Sequence, residues 1–171
     1  MKKLFLFLLL VACSLTLSAQ ESRMFRKGYR GNLEIGNYAV FGKDKVGGLA
    51  LLTTTHGYSF GDGAFVGVGL GVGADLNGSL YFPIFMDAKY NFIDGRTSPF
   101  AAIRTGLRYD PNDEYISCGI ALGGGVDFGR YSVKLGYEYS VSKANDYDHY
   151  GSYSYIYAKP SMLFCSFAFN F

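Results

Sequence analysis

The sequence predicts an all-β fold, an eight-stranded antiparallel up-and-down transmembrane β-barrel, and three observations lead to that prediction. The chain is rich in glycine and aromatic residues, with 23 Gly, 15 Tyr and 15 Phe but only 4 Pro among 171 residues, which favours strands over helices. Apolar and polar residues alternate with period two in segments long enough to cross a bilayer. After the N-terminal region no stretch is apolar over the length of a spanning helix, and lipid admits only helices and closed sheets.

The N-terminal region has the organisation of a secretory signal peptide. We assign residues 1–19 to this signal and residues 20–171 to the barrel domain. Two lysines precede a short apolar run over residues 4–12, and Ala19 supplies a small residue for cleavage. An alternative is that Cys13 is the lipidated residue of a lipoprotein signal, because Leu, Val and Ala precede it.

The charge of the chain is balanced once the signal is removed. The full sequence has 16 Lys+Arg and 14 Asp+Glu, and removing Lys2 and Lys3 leaves 14 of each. No basic patch remains that would indicate a nucleic-acid partner.

Eight segments carry the alternation, and the cleanest is the third, in which valine and leucine alternate strictly with glycine. The phase of the second stays open, because residues 49–52 are apolar on both faces. Pro83 is a misfit in the fourth, since it cannot donate to a ladder, but it lies near the start of the strand. The segments are 29–41, 47–58, 64–74, 80–92, 99–109, 115–128, 131–141 and 163–171.

The connections between these segments lie alternately on the two sides of the membrane. We expect the turns 59–63, 93–97 and 129–130 to be periplasmic. The extracellular loops are then 42–45, 75–79, 110–114 and 143–152. The last of these is the longest, as is typical of the outer side of such barrels.

We predict that the apolar face of the sheet meets lipid and that the other face lines the lumen. A Lys or Arg facing the bilayer midplane costs roughly 2–4 kcal/mol, whereas charges inside the barrel can pair. Rows of glycine leave room there for Tyr81 and Phe85. The predicted lumen charge network comprises Arg30, Glu34, Asp87, Lys89, Arg104, Arg108, Asp127, Lys134 and Glu138.

Two cysteines remain in the barrel domain, Cys118 and Cys165, and both fall on the apolar face. They lie on the sixth and eighth strands, which are not neighbours. A disulfide needs Cα atoms within about 7 Å, and skipping one strand separates them by roughly twice 4.8 Å. We therefore predict free thiols.

Other residues attract attention as candidates for chemistry, and each has a simpler interpretation. The glycines of residues 67–73 have strict period two and no following helix, unlike a phosphate-binding loop. His56 has Ser59 nearby, and His149 has acidic and serine neighbours, but sequence proximity does not make a nucleophile and base. The carboxylates of residues 110–114 match no defined calcium loop and are expected to be solvated. We predict no catalytic, cofactor-binding or metal site.

The end of the chain, residues 163–171, alternates aromatic residues and finishes in Phe. Together with the eight segments, this resembles the eight-stranded outer-membrane barrels of the OmpA/OmpX type and the porin-like families built on that plan, over residues 28–171. The resemblance implies the outer membrane of a Gram-negative-type bacterium, with periplasmic chaperones and the barrel-assembly machinery as partners during biogenesis. It also implies a C-terminal assembly signal formed by Leu163, Phe167, Phe169 and Phe171. The peptidoglycan-binding domain of the OmpA pattern is missing, so that cell-wall anchoring is not implied.

Three functions compete on these grounds. The leading expectation is a monomeric structural or surface-interaction protein, because the lumen is filled and the Tyr-rich segment 147–157 is exposed. The alternative is a narrow porin-like channel for small solutes, suggested by a polar interior of balanced charge. An outer-membrane enzyme that modifies lipids or peptides is motivated only by the two histidines.

Overall fold

The barrel is built from nine strand segments in a computed structural model, which describes residues 25–41, 46–76, 78–111, 115–147, 153–158 and 161–171. The predicted signal peptide, with Cys13, lies outside these residues. The strands are β1 (Gly28–Phe41), β2 (Val46–Ser59), β3 (Ala64–Asp75), β4 (Leu80–Asn91), β5 (Thr97–Asp110), β6 (Tyr115–Phe128), β7 (Tyr131–Tyr147), β8 (Tyr153–Ala158) and β9 (Ser161–Asn170).

From β1 to β8 each strand pairs antiparallel with the next strand in the chain, and β9 pairs with both β7 and β1, which closes the sheet. Segments β8 and β9 occupy one barrel position, because both pair with β7 in a single register: Ser142 faces Ala158, and Tyr139 faces Ser161. The barrel is therefore eight-stranded, and the predicted fold class is confirmed.

The closed sheet is strongly sheared. A path that starts at Arg30 and crosses each strand at right angles returns to β1 at Val40. Such a stagger accompanies strands tilted by roughly 35–45° to the barrel axis. We call the end with the β2–β3, β4–β5 and β6–β7 turns the terminal end, because β1 begins and β9 finishes there. The opposite end is the loop end.

The prediction of a loop over residues 143–152 is wrong in extent. Strand β7 continues to Tyr147 and pairs with β8, so that Tyr147 faces Tyr153. Two neighbouring segments that both remain extended can continue their backbone pairing beyond the end of the barrel, as β7 and β8 do here. Strands β7 and β8 therefore prolong the barrel as a two-stranded hairpin at the loop end, and the described residues of the Tyr-rich segment, Tyr147 and 153–157, lie in these two strands.

The outer face is apolar, as the alternation predicts. Val66, Val68 and Leu70 on β3 are 43, 60 and 60 % exposed, while the intervening glycines face the lumen. The open phase of β2 is now determined: Leu49 and Leu51 are buried inside. Their neighbours on β2 follow the same alternation.

Aromatic side chains encircle the outer face near the terminal end. Tyr58 packs edge-on against Phe60, and Tyr90 against Phe92, at centroid distances of 5.4 and 5.5 Å. This girdle comprises Tyr29, Tyr58, Phe60, Tyr90, Phe92, Phe128, Tyr131 and Phe171. A smaller set of exposed aromatics lies towards the loop end, at Phe82, Tyr109, Tyr137 and Tyr139. Two such belts flank the apolar band of transmembrane barrels.

The described residues contain no helix that is both long enough and apolar enough to span a bilayer.

Pro83 is accommodated where a hydrogen bond can be lost. It stays paired in register with Arg108 of β5, while the β3–β4 pairing runs from Leu70↔Ile84 to Gly73↔Tyr81 without it. The proline thus interrupts only the ladder towards β3.

The inner glycines of β3 make room for lumen aromatics, and this generates a prediction. A side chain at Gly69 would overlap the Phe85 ring and approach the Thr54 carbonyl to 2.8 Å. We expect Gly69→Leu to lower the free energy of unfolding by about 1–3 kcal/mol through overpacking, measured by urea titration in lipid vesicles. Gly124→Leu is the matched control, because Gly124 faces outward and its nearest neighbour, the Phe100 carbonyl, lies at 3.4 Å. An equal loss of unfolding free energy in the two variants would contradict the idea that the inner glycines of β3 make room for Phe85.

Candidate functional site

The lumen is crossed at mid-height by a central layer of four charged side chains. Arg104 on β5 donates to Glu34 on β1 at 2.8 Å and to Asp87 on β4 at 2.7 Å. Lys134 on β7 completes the layer with a 3.0 Å contact to Glu34. The Arg104 guanidinium also lies 4.0 Å from the centroid of the Phe85 ring. Two cations and two carboxylates thus compensate one another across the full width of the barrel.

A second layer lies towards the terminal end and is centred on Asp127 of β6, which is fully buried. Lys89 contacts its carboxylate at 2.7 Å, and the Asn91 amide donates to it at 2.7 Å. Ser132 donates a third hydrogen bond to the same group. Lys89 also lies 4.1 Å above the Phe100 ring. The buried charge is therefore met by three polar partners, as burial of a carboxylate requires.

The third layer lies towards the loop end and combines an ion pair with an apolar cluster. Arg108 contacts Glu138 at 2.7 Å, and its other terminal nitrogen lies 3.9 Å from the sulfur of Met162. Tyr38 stacks on Phe164 with ring centroids 5.1 Å apart. The apolar cluster contains Tyr38, Leu49, Leu51, Ala121, Met162 and Phe164.

Two small cavities flank the central layer. The one on its loop side has a volume of about 40 Å³ and is lined by Thr53, Arg104 and Arg108. The one on its terminal side is about 20 Å³ and is lined by Glu34, Asp87 and others. The first is large enough for a few water molecules and the second for about one. Residues that line these spaces carry buried polar atoms without a protein partner, among them Thr53 Oγ1, Arg104 Nε and Asp87 Oδ1.

The structure brings eight of the nine predicted lumen charges together in ion pairs within these three layers. Arg30, the ninth, is half-buried on the inner face of β1 and also has an interaction partner. The alternation of the fourth segment also places Asn91 on the polar face, with Asp87 and Lys89. Sequence reasoning missed Ser132 and Thr53. The spacing of two residues between Ser132 and Lys134 is a signal that could have found Ser132, whereas β2 carries no predicted lumen charge that could have indicated Thr53.

The predicted C-terminal signal residues lie on the outer face of β9 and beyond it. Leu163, Phe167 and Phe171 are about half exposed, and Phe167 stacks on Tyr131 with ring centroids 5.6 Å apart. Phe169 contacts the same tyrosine ring. Phe171 extends the seam beyond the last strand residue, because its backbone exchanges two hydrogen bonds with Gly31, at 2.8 and 2.9 Å.

His56 lies on the outer face, within the girdle. Its Nδ1 is hydrogen-bonded to the Tyr29 hydroxyl and its Nε2 lies 3.0 Å from Thr54 Oγ1, while its ring meets Phe171 edge-on. Ser59 is buried on the opposite face of the same strand, so that the two residues do not meet. His149 lies outside the described residues.

The expectation that the carboxylates of residues 110–114 are solvated is wrong for Asp110, which is 1 % exposed. Its position at the even, inward phase of β5 places it in the mouth of the lumen. Asp113 and Glu114 lie outside the described residues, and in the rest no three His, Cys, Asp or Glu side chains group as a metal site would. Cys118 and Cys165 are unpaired and exposed on the outer face.

Comparison with known proteins places this geometry among transmembrane barrels. No protein-family model and no curated protein matches the chain. A designed transmembrane β-barrel is similar in structure, with a TM-score of 0.53 and 11 % identity over 89 % of this chain and 100 % of that one. Neisserial surface protein A is also similar, with a TM-score of 0.56 and 13 % identity over 84 % of this chain and 97 % of that one. The chain has the fold of a membrane β-barrel.

The central layer predicts a charge-balance effect on stability. Arg104→Met leaves two buried carboxylates with one lysine, and we expect it to lower the free energy of unfolding by about 3–5 kcal/mol. Adding Asp87→Asn restores one cation to one carboxylate, and this should recover a substantial part of the loss. Urea titration of the folded protein in vesicles measures both.

Arg96→Met serves as the control, because Arg96 is an exposed residue of the β4–β5 turn and its replacement should change stability by no more than about 0.5 kcal/mol. A double variant as unstable as Arg104→Met alone would show that charge balance does not govern the layer.

Proposed function

We propose that this protein is a monomeric, integral outer-membrane protein with a closed lumen, whose role is structural or a surface interaction. The observation that carries the proposal is the central layer, in which Arg104 bridges Glu34 and Asp87 across the barrel. Charged groups held in paired contacts and backed by Phe85 cross the lumen, and the cavities on the two sides of this layer are water-sized. This arrangement supports a closed lumen. An eight-stranded barrel is just wide enough for side chains to fill it.

The outer-membrane location is supported by the apolar band between two aromatic belts and by similarity to a protein that is itself named as a surface protein. Export by residues 1–19 and assembly through Leu163, Phe167, Phe169 and Phe171 are parts of the same proposal. The outward, half-exposed placement of three of these four residues supports it, because an assembly factor must reach them from outside the barrel.

The surface-interaction role would reside in the β7–β8 hairpin. Tyr147, Tyr153, Tyr155 and Tyr157 make it rich in tyrosine, a side chain that offers large contact area at low conformational cost. Cross-strand pairing of β7 with β8 supports a preformed surface there, which lowers the entropic cost of binding.

The proposal includes no enzymatic role. Thr54, His56 and Tyr29 form a hydrogen-bonded chain, but the Thr54 hydroxyl also donates to the Asn32 carbonyl at 3.1 Å. Continuous ladders with β1 and β3 run past these residues, which leaves no evident pair of backbone donors for an oxyanion. The position of Thr54, His56 and Tyr29 within the aromatic girdle accounts for their contacts without a catalytic role.

The alternative is a narrow channel for small solutes, which the cavities on both sides of the central layer favour. Planar-bilayer recording separates the two functions. We expect the natural protein to be silent, and we expect discrete conductance when Glu34, Asp87, Arg104 and Lys134 are all replaced by Ser, because this neutral change joins the cavities.

The matched control is Arg108→Ser with Glu138→Ser, which removes a balanced pair on the loop side only and should leave the bilayer silent. Conductance of the natural protein, reproducible between preparations, would support the channel and remove the closed-lumen proposal.

Surface display of the hairpin predicts a labelling pattern in intact cells. In a background with Cys118→Ser and Cys165→Ser, His149→Cys should react with a membrane-impermeant maleimide. Asp94→Cys, in the β4–β5 turn at the terminal end, should react only after the outer membrane is permeabilised. Labelling of Asp94→Cys alone in intact cells would reverse the proposed orientation.

A further inference from the structure

The described part of the terminal end carries exposed cations that form no ion pair with a described carboxylate. Arg26 and Lys27 precede β1, and Arg96 lies in the β4–β5 turn; all three are exposed. Among the residues that the structure describes, none of the three forms an ion pair. This contrasts with the lumen, where Lys89, Arg104, Arg108 and Lys134 are all paired.

The acidic side chains of the same rim are engaged by the backbone instead. Asp94 Oδ1 accepts a hydrogen bond from the Phe25 amide at 3.2 Å, and Asp62 Oδ1 accepts one from the Ala64 amide at 3.0 Å. Arg130, in the β6–β7 turn, adds a fourth cation beside Arg96, since the Gly129 amide donates to the Arg96 carbonyl at 2.7 Å. The described rim therefore has an excess of positive charge, distributed over several turns.

These cations lie just beyond the aromatic girdle. Lys27 precedes Tyr29 by two positions, Arg96 follows Phe92 by four, and Arg130 adjoins Tyr131. Because girdle aromatics lie at the level of the lipid headgroups, the cations lie at or just outside the level of the phosphates. The Phe25 amide donates to Asp94 and the Gly129 amide donates to the Arg96 carbonyl, so the N-terminal segment and two turns contact one another at this rim. The cations therefore lie on neighbouring segments of one rim, at a height that suits the phosphate groups of lipids.

The opposite end has the reverse charge in sequence. At the loop end, the connections and the strand ends that adjoin them contain the acidic residues Asp44, Asp75, Asp110, Asp113, Glu114, Asp146 and Asp148. The basic residues in the same segments are Lys43, Lys45, Lys143 and Lys159. The excess of positive charge is therefore specific to the terminal end and is not a general property of the two rims.

We propose that the terminal rim binds the phosphate groups of anionic phospholipids in the leaflet at that end, through Arg26, Lys27 and Arg96. Each cation near an anionic membrane surface strengthens attraction about fivefold, and the effect falls off within a Debye length. The rim would recruit lipids of net negative charge, such as phosphatidylglycerol, in preference to zwitterionic ones. This goes beyond the proposed function, because it holds whether or not the lumen conducts.

The test uses the full folded barrel in vesicles of phosphatidylcholine with a minor fraction of phosphatidylglycerol. Electron spin resonance of spin-labelled lipids gives the relative association of each lipid with the protein. The rim variant combines Arg26→Gln, Lys27→Gln and Arg96→Gln. The matched control combines Lys43→Gln, Lys45→Gln and Lys143→Gln, which also removes three cations but at the loop end. The mobility shift on boiling verifies that each variant is folded.

We expect a several-fold preference for phosphatidylglycerol in the natural protein and in the loop-end control, and a preference close to unity in the rim variant. Millimolar inorganic phosphate should leave the preference intact, whereas high salt should reduce it. The proposal is overturned by an equal loss in both variants, by no preference in the natural protein, or by displacement at millimolar phosphate, which would indicate a site for the free anion.

Discussion

The pairing of β1 with β9 is the constraint on which the rest of the structure depends. In hydrocarbon an unpaired sheet edge leaves backbone groups without partners, so the sheet must close. Asn32↔Asn170 to Phe41↔Ser161 form this seam, and Phe171 prolongs it against Gly31. Closure gives the sheet one face towards lipid and one towards a narrow lumen. Each strand must therefore place apolar residues on the first face and polar or small residues on the second.

The lumen arrangement follows from that division. Side chains that cannot face lipid are enclosed in a space that eight strands make too narrow for bulk water. Charges there must compensate one another, because removing one partner of a buried pair leaves the other uncompensated. Arg104 meets this demand with a planar group that reaches Glu34 and Asp87 at once, and the glycines of β3 leave space for Phe85 beneath it. The same contacts that stabilise the closed sheet also cross its lumen at mid-height.

Much of this could be predicted from period-two alternation alone. Alternation assigns Val66 to lipid and Arg104 to the lumen without knowledge of any partner. It could not assign Leu49 and Leu51, because β2 is apolar on both faces there, and only pairing with its neighbours determines the phase. Nor could it place the β7–β8 hairpin, since pairing beyond the rim depends on two strands staying extended together.

The pairing of the charged side chains within the lumen could not be predicted from the sequence either. Glu34 and Arg104 are far apart in the chain, and their contact depends on the stagger that returns a path from Arg30 to Val40. A different stagger would place the same charges on the inner face but at different heights. The set of lumen charges is thus a property of local alternation, whereas their pairing is a property of the closed barrel. Asp110 is buried because it occupies an inward position at the end of β5. The acidic residues that follow it in the sequence do not reveal this burial.

Gel mobility of the protein from outer-membrane fractions, compared before and after boiling, tests the central claim most directly. A closed barrel with an apolar outer face resists detergent, so the unboiled protein should migrate differently from the boiled protein and should be found in that fraction. A protein that is soluble in the periplasm and whose mobility does not change on boiling would contradict the account, because its apolar face would then be turned inward.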